Sequence, residues 1–284
     1  MIDIKNEPGN LLDMNERIRY MQGDIRDRVV LHDLLSYPID GVIHLGAVSR
    51  VIWGEQDPNS CVDINVHGTR LLLDAIERSG QRPWLIFGSS REVYGVRKRL
   101  PVSENCRKAP INVYGNTKLL GEELVREFSR STGMNTIILR FSNVYGNEYD
   151  ILDRVIPRFV LRSLKGLPLK IHGGKQLVDF THINDTIEGI LKAIDIVNDR
   201  GFYGTNDFHI LPGIGTSLQD VVKIIADHTG AEPEIQYEQP RVYDVDKFVG
   251  NPAKARSQLG FSAMIKPETG IRMTVDRYAE VFEL

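Results

Sequence analysis

The sequence predicts an α/β fold built on a doubly wound parallel sheet, with a smaller α/β lobe attached to it. In the first half of the chain, apolar runs rich in branched and aromatic residues alternate with amphipathic helical patterns. The runs are residues 41–47, 84–90 and 136–144, and the helical patterns are residues 60–79 and 113–132. Continuous apolar strands separated by helices are typical of a parallel sheet that is covered on both faces.

Beyond residue 145 the pattern changes to shorter strands and helices, and prolines and glycines become frequent. The predicted elements are strands at 167–173, 207–213 and 232–238 and helices at 152–165, 184–197, 217–229 and 267–282. We therefore expect one domain formed by residues 1–145, with 176–198 returning to it. Residues 146–175 and 199–284 should form the smaller, substrate-binding lobe.

Composition and charge exclude several classes of protein. The chain has 284 residues, of which 42% are hydrophobic and 26% charged, and its net charge is −3. The absence of a basic stripe argues against nucleic acid as a partner. Its two cysteines suggest neither a disulfide framework nor a metal cluster. No apolar run reaches the roughly 18 residues of a membrane span, and no signal peptide is recognisable. We expect a soluble, cytoplasmic protein without a membrane or metal partner.

Polar and small residues follow the predicted strands of the first half. The segments are GDIRD (23–27), HLGAVSR (44–50), FGSSREVYG (87–95) and RFSNVYG (140–146). The first of them follows a further predicted strand, residues 17–24. Sites in open α/β sheets lie outside the carboxyl ends of the strands. The sequence therefore predicts a binding site built from these segments.

A tyrosine and a lysine, Tyr114 and Lys118, stand four residues apart at the start of the predicted helix 113–132. Gly133 follows the helix as a stop signal. Residues i and i+4 share one helix face, so the phenol and the ammonium should point the same way. A cation close to a phenol lowers its pKa from about 10 toward neutrality. A group that titrates there suits general acid–base catalysis.

The segment PGIGTSLQD (212–220) resembles a glycine-rich phosphate loop at first sight. It lacks a third glycine, however, and Ser217 and Asp220 have the spacing of a capping box at a helix N-terminus. We interpret the segment as a helix start.

Taken in order along the chain, these segments resemble the extended short-chain dehydrogenase/reductase family, in its nucleotide-sugar epimerase/dehydratase branch. GDIRD, HLGAVSRV, DINVHGTRLLLDAI with Asn65, SSREVYG, YGNTK and RFSNVYG all have counterparts there, in the same order. The resemblance runs from Asp3 almost to the C-terminus. It implies a Rossmann-like sheet, NAD as the cofactor and a nucleotide sugar as the substrate.

The resemblance also implies roles for individual residues. Tyr114 would take the proton of the sugar O4, Lys118 would hold the nicotinamide ribose, and Ser90 would hydrogen-bond the same sugar oxygen. Glu92 occupies a position at which dehydratases and decarboxylases of the family often carry a glutamate. The implied cofactor-binding residues are Asp3, Asp24, Ile25, Leu45, Gly46, Ala47, Tyr114 and Lys118. The implied substrate-binding residues are Ser49, Asn143, Arg241 and Asp244.

Three features depart from the family pattern. The sequence contains no Gly-x-x-Gly-x-x-Gly turn after a first strand, so a βα unit and most of a strand of the family pattern, on the order of 30 residues, are missing. Val178 stands where the family usually has an arginine that contacts the sugar diphosphate. Arg91 and Glu92 replace the small residues of simple 4-epimerases, although Arg91 also differs from the aspartate of one large dehydratase group.

These features leave three functions open. The first is an NAD-dependent epimerase that oxidises and re-reduces C4 of a nucleotide hexose, similar to UDP-glucose 4-epimerase. The second is a nucleotide-sugar 4,6-dehydratase or decarboxylase that uses Glu92. The third is a non-catalytic, nucleotide-sugar-binding relative that has lost NAD binding. Retention of Asp24, Ser90, Tyr114 and Lys118 favours an enzyme, either with a compensating partner or as a piece of a longer chain.

The resemblance and the missing strand imply two arrangements. Helices 60–79 and 113–132 resemble the pair that forms a four-helix interface in this family, which predicts a homodimer. Without the family's first strand, the 17–23 strand would lose its neighbour in the sheet. We expect it to pair with 41–46 instead, through a crossover helix in the intervening residues.

We expect weak NAD binding, because the family's pyrophosphate cradle is a glycine-rich turn at a helix N-terminus. Purified protein should therefore carry no NAD, as measured by absorbance or mass spectrometry. Tight retention of NAD through purification would contradict this expectation.

Overall fold

The structure, a computed structural model, describes residues 1–3 and 18–284. The chain divides into two compact units. The first comprises Met1–Ser89, Asn112–Ile138 and Val197–Asn206, and the second comprises Ser90–Ile111, Leu139–Ile196 and Asp207–Leu284. These packing units differ in their boundaries from the cofactor and substrate domains predicted above, which stay a prediction.

Eleven strands are present in the described residues. They are β1 (Ile2–Asp3), β2 (Met21–Gln22), β3 (Gly41–His44), β4 (Trp84–Ser90), β5 (Thr136–Phe141), β6 (Asn143–Tyr145), β7 (Leu169–His172), β8 (Leu177–His182), β9 (Thr205–Ile210), β10 (Gly215–Ser217) and β11 (Ile235–Glu238). The sequence did not indicate β8 and β10.

The α-helices of the described residues correspond to the predicted ones, apart from a short helix at Val51–Gln56, which the sequence did not indicate, and the break described below. They are α1 (Arg28–Leu35), α2 (Val51–Gln56), α3 (Pro58–Val62), α4 (Thr69–Arg78), α5 (Val113–Thr132), α6 (Val155–Leu164), α7 (Ile183–Val197), α8 (Leu218–Thr229) and α9 (Pro267–Val281).

The largest sheet has four strands in the order β3-β4-β5-β9. Strand β3 lies parallel to β4, with Gly41 opposite Trp84 and His44 opposite Phe87. The indole of Trp84 covers Gly41 so closely that a Cβ atom there would lie 2.0 Å from the ring. The parallel α/β architecture predicted from the alternating apolar runs is therefore confirmed.

The predicted pairing of the 17–23 strand with 41–46 is wrong. In the described residues, β2 pairs in parallel with β1, with Ile2 opposite Met21. The Met21 amide donates to the Met1 carbonyl at 2.9 Å, and the Gly23 amide donates to the Asp3 carbonyl at 2.8 Å. Residues 1–3 thus supply the backbone partners that we expected 41–46 to provide. Residues 4–17, which include the first residue of the predicted strand, lie outside the described part.

The predicted helix 60–79 is divided into three parts. The first, α3, begins with Pro58 at its first position, where a missing N–H is tolerated. A π-helical segment, Asp63–Gly68, follows, and α4 continues from Thr69. A π segment contains an extra residue per turn and is frequent at functional sites. It carries the buried Asn65.

A hydrophobic core in the first unit joins α1, α4, α5 and the sheet. Its buried members are Leu31, Leu35, Leu71, Leu72, Leu73, Ile76, Leu85, Phe87, Val125, Phe128, Met134 and Ile138. Full burial of such a side chain contributes about 1.5–3 kcal/mol. Gly121 lets α5 approach β4, because a Cβ atom there would lie 2.6 Å from the Phe87 ring.

The second unit contains two small sheets, ordered β10-β8-β6 and β11-β7. Helices α6, α8 and α9 pack with them around a second core, which includes Phe159, Phe180 and Tyr278. Ser217 and Asp220 form the predicted capping box of α8, each side chain accepting a hydrogen bond from the other residue's backbone amide. Their use as helix caps supports our interpretation of PGIGTSLQD as a helix start.

None of the helices formed by residues 18–284 is long and apolar enough to span a membrane.

Candidate active site

The first turn of α5 positions Tyr114. Asn112 caps the helix, with its side-chain oxygen accepting from the Gly115 amide at 2.7 Å. The carboxylate of Glu55 accepts from the Val113 amide at 2.9 Å. Gly54 lets α2 approach the same turn, because a Cβ atom there would lie 3.2 Å from the Tyr114 amide nitrogen. These contacts hold the tyrosine, which is 8% exposed, in a fixed place on the helix.

Lys118 lies one turn further along α5 and is buried. Its Nζ donates to the carbonyl of Gly88 on β4 at 2.8 Å. It lies 6.0 Å from the centre of the Tyr114 ring and 5.2 Å from that of Phe87. Burial lowers the pKa of Lys118 to about 8, although the nearby Cys61 and Glu122 oppose this effect. The phenol and ammonium are therefore close together, as the i, i+4 spacing predicts.

Asn65 fixes the loop that follows β3. Its amide side chain accepts from the Val48 amide at 2.7 Å and donates to the Val48 carbonyl at 3.0 Å. It also donates to the Thr117 hydroxyl on α5 at 2.9 Å. The loop leaves Leu45 and Gly46 exposed and Ala47 partly so, while Ser49 is half-buried. The residues predicted to line the cofactor thus lie in an accessible loop after β3 that Asn65 holds in place.

His44, the last residue of β3, is a buried polar contact that sequence reasoning missed. The Thr69 hydroxyl donates to the Asn65 carbonyl at 2.6 Å, so the His44 Nε2 at 2.8 Å is its hydrogen-bond donor. Burial and, to a smaller extent, the charge of Lys118 together lower the pKa of His44 to about 3. A neutral imidazole in this position joins β3 to α4. The sequence signal that was available is the position of His44 at the start of the segment HLGAVSR.

Asp24 and Ile25 follow β2 in the first unit. Arg26 donates to both carboxylate oxygens of Asp24, at 3.0 and 2.6 Å, and also contacts Asp63 at 2.7 Å. The hydrogen bond from Arg26 lowers the pKa of Asp24. Asp24 is therefore a fixed carboxylate at the strand end. Asp3 lies at the end of β1 and is exposed.

Ser90 and Glu92 lie at the start of the second unit, where β4 runs into the 3-10 turn Arg91–Tyr94. The hydroxyl oxygen of Ser90 accepts from the Glu92 amide at 3.2 Å. The carboxylate of Glu92 forms an ion pair with Arg91 at 2.9 Å, and both side chains are buried. The Arg91 Nε donates to the Asn143 side chain at 3.3 Å. Ser90, Glu92 and Asn143 thus belong to one polar cluster.

Two aspartates surround this cluster. Burial raises the pKa of Asp244, Arg241 opposes the rise, and Glu92 adds to it. Burial raises the pKa of Asp179 to about 7, although the Gly250 amide donates to it at 3.0 Å. Predicted substrate residues Asn143, Arg241 and Asp244 therefore share one electrostatic environment. Asp179 was not predicted, because a buried aspartate inside a strand has no local sequence signal.

Val178, which stands where the family usually carries arginine, is buried in β8. It pairs with Thr216 of β10 and belongs to the core of the second unit. Its side chain therefore packs among apolar residues and offers no donor to a diphosphate.

A buried network supports the 3-10 turn from beneath. The Arg140 Nη1 donates to the Tyr94 hydroxyl oxygen at 2.8 Å, and the Tyr94 hydroxyl lies 2.7 Å from the His209 Nε2. Arg140 also forms an ion pair with Asp207. Burial and the charge of Arg140 together lower the pKa of His209 to about 4, so the neutral ring accepts a hydrogen bond from the Tyr94 hydroxyl. These residues join β5 and β9 to the turn.

The donor set of the first unit fits the nicotinamide-ribose half of NAD. A lysine ammonium that uses one N–H on the Gly88 carbonyl can donate others to ribose hydroxyls. An exposed glycine at the end of β3 permits close approach of a ligand to the backbone. Chemically, a phenol beside a buried ammonium can exchange a proton with a bound hydroxyl.

Comparison with known proteins identifies the family. Residues 3–202 match the model of the NAD dependent epimerase/dehydratase family. The chain belongs to this family. It is 31% identical to the "Putative UDP-glucose 4-epimerase" of Methanocaldococcus jannaschii, over 94% of this chain and 86% of that protein. Some relatives from Arabidopsis thaliana are longer, and the chain spans 64% of one and 41% of another.

Solved structures of the family have the same fold. The UDP-glucose 4-epimerase of Thermotoga maritima, in complex with UDP-glucose, superposes with a TM-score of 0.90 at 26% identity, covering 99% of this chain and 90% of that one. The UDP-glucuronic acid 4-epimerase of Bacillus cereus, in complex with UDP-glucuronic acid and NAD, gives 0.88 at 26% identity, covering 95% and 84%. The Rossmann-like fold and the membership of an enzyme family are thereby shown.

The lowered pKa of Lys118 predicts a pH-dependent stability. The folded protein releases this proton near pH 8, whereas the unfolded chain holds it to about 10.5. The unfolded state binds more protons in that window, so the contribution of Lys118 to the free energy of unfolding rises with pH there. Urea denaturation of wild type and Lys118→Met at several pH values should show the difference moving in favour of wild type between pH 8 and 10.5.

The exposed Lys98 provides the control for this experiment, since Lys98→Met should run parallel to wild type across the same range. Parallel curves for Lys118→Met as well would mean that the ammonium is not buried as described.

Proposed function

We propose that the protein is an NAD-dependent epimerase that acts at C4 of a nucleotide-linked hexose, in the manner of UDP-glucose 4-epimerase. The observation that carries the proposal is the buried Lys118 ammonium 6.0 Å from the ring of Tyr114, at the start of α5. The similarity to a UDP-glucose 4-epimerase over almost the whole chain supports it.

In this proposal Tyr114 moves the proton of the sugar O4. The phenol, as phenolate, accepts that proton when C4 is oxidised and returns it when C4 is reduced from the other face. Bound NAD would supply the acceptor and donor of the C4 hydride. Lys118 stabilises the phenolate through its charge, and Ser90 orients the sugar oxygen by hydrogen bonding. A phenol that can hold or give up a proton near neutral pH serves both directions.

The cofactor would be held by the residues at the strand ends of the first unit. Lys118 would bind the nicotinamide ribose, and the exposed backbone of Leu45, Gly46 and Ala47 would lie along the dinucleotide. Asp24 and Ile25 would contact the adenine and Asp3 the adenosine ribose. The weak NAD binding predicted above remains part of this proposal.

The nucleotide sugar would be bound by the residues that the family resemblance implies, which are Ser49, Asn143, Arg241 and Asp244. Arg241 would supply the positive charge for the diphosphate, since Val178 is part of the core. Asp244, which interacts with Arg241, would accept a hydrogen bond from the nucleoside ribose.

A second candidate function is dehydration or decarboxylation with Glu92 as an additional catalytic residue. The buried position of Glu92 directly after Ser90 favours it. The ion pair between Arg91 and the Glu92 carboxylate favours the epimerase, because it engages the group that would act as the additional catalytic residue.

Substitution of the proposed acid–base should abolish most of the turnover. With a UDP- or other nucleotide-linked hexose and added NAD, Tyr114→Phe should lower the rate of C4 epimer formation by roughly 10²–10⁴-fold, the usual contribution of a general acid–base. NMR of the product distinguishes a C4 epimer from a 4-keto-6-deoxy sugar. Tyr203→Phe, at a position 83% exposed, makes the same chemical change elsewhere and should leave the rate unaltered. Equal rates for Tyr114→Phe and wild type would refute the assignment.

We also propose a homodimer formed through the helical stretch from α3 to α4 and through α5, which correspond to the predicted helices 60–79 and 113–132. Helices α3 and α5 contact each other, and each leaves one large apolar side chain exposed, Val62 at 45% and Leu120 at 44%. Light scattering should give the mass of a dimer for wild type and that of a monomer for Leu120→Asp. Leu191→Asp, on the equally exposed surface of α7, should stay dimeric. A wild-type monomer at high concentration would refute the proposal.

A further inference from the structure

The ion pair between Arg91 and Glu92 joins two adjacent, buried side chains in the turn that follows β4. We propose that Arg91 determines the outcome of the reaction by restraining Glu92, which would otherwise remove the proton at C5 of a 4-keto sugar. This inference rests on the proposed function, because it concerns the sugar that has been oxidised at C4.

Glu92 has the chemistry for this second reaction. A C–H bond next to a ketone is acidic, and a carboxylate near it can act as a general base. When the C5–H bond breaks, the proton goes to the carboxylate and the electron pair moves onto the C4 oxygen as an enolate. Glu92 is tied by its amide to the hydroxyl of Ser90, the residue proposed to hold that same C4 oxygen. Glu92 therefore lies two residues from the side chain proposed to hold the reacting carbonyl.

Arg91 engages this carboxylate and is itself held in place. Its Nη2 lies 2.9 Å from the Glu92 Oε1, and its Nε donates to Asn143. The guanidinium lies over the ring of Phe248, 5.6 Å from its centre, and Phe248 is fully buried. A buried, well-oriented ion pair is costly to separate, because separation leaves an uncompensated charge. Glu92 would have to break it before approaching C5.

The surrounding charges strengthen the restraint. Asp179 and Asp244 both interact with Arg91, whose charge lowers the pKa of each, while Glu92 raises that of Asp244. Arg91 thus interacts favourably with three acids, two of which, Glu92 and Asp244, repel each other. Rotation of Arg91 away from Glu92 would remove its compensating charge from all of them. In the wild-type protein the 4-keto sugar should therefore return to a hexose with its C5 proton retained.

The test uses a nucleotide-linked 4-keto-6-deoxyhexose in deuterated buffer, with loss of the C5 proton signal followed by ¹H NMR. The ketone is already present in this probe, so exchange at C5 does not depend on NAD. Wild type should give no exchange above the buffer. Arg91→Met should exchange the C5 proton about 100-fold faster than wild type, the order expected of one general base. Arg91→Lys, which keeps a cation beside Glu92, should stay close to wild type.

The double variant Arg91→Met/Glu92→Gln removes both charges and should lose the exchange again. Exchange at C5 by wild type, or no exchange by a folded Arg91→Met, would overturn the inference. Arg91→Gln, which keeps a polar side chain of similar reach, replaces Arg91→Met if that variant does not fold. Formation of the C4 epimer from nucleotide hexoses and NAD, measured separately, tests the proposed function. Its failure would leave the exchange result intact.

Discussion

The buried ammonium of Lys118 is the constraint on which the candidate active site depends. A cation this deep in a protein is destabilising unless polar groups compensate it. Here the Gly88 carbonyl accepts one of its hydrogen bonds, and Glu122 lies near enough to favour the charged form. Glu122 in turn accepts from the Ser89 hydroxyl at 2.6 Å. Two consecutive residues of β4 are thus joined to one face of α5. These contacts fix the position of α5 relative to β4. Tyr114, which lies on α5, is therefore held in a fixed position relative to the strand.

Local sequence signals predicted those elements whose causes are local. The helix 113–132 begins and ends at the residues that cap it, since Asn112 and Gly133 satisfy backbone groups at its two termini. The strand 84–90 likewise matches its apolar run. The partner of β2 was predicted wrongly, because strand pairing depends on residues far apart in the chain. Strand β10 was missed because it has only three residues. Strand β8 was missed because Asp179, Thr181 and His182 interrupt its apolar run.

The candidate site shows a similar division. Residues in recognisable segments, such as Lys118 and Glu92, could be named from the sequence because their order along the chain is distinctive. The contacts that hold them could not. His44 with Thr69 and Tyr94 with Arg140 are hydrogen-bonded pairs separated by 25 and 46 positions. A buried polar residue looks the same in a sequence as an exposed one. The Arg91–Glu92 pair was recognisable only as two neighbouring charges, and burial gives it its chemical meaning.

The π segment Asp63–Gly68 adds a residue to the chain without turning the helix that follows it. Each residue of an α-helix advances the direction of its side chain by about 100°, and each residue of a wider π turn advances it by less. A turn that holds one extra residue therefore covers about the same rotation, and Leu72 and Ile76 still face the core. Loss of one residue from this segment would give a regular helix and leave α4 in nearly the same orientation. The cost would fall on the segment itself, where the amide of Asn65 binds Val48. An evolutionary lineage that shortens this segment would therefore keep the core of the first unit and lose the contact that holds the loop after β3.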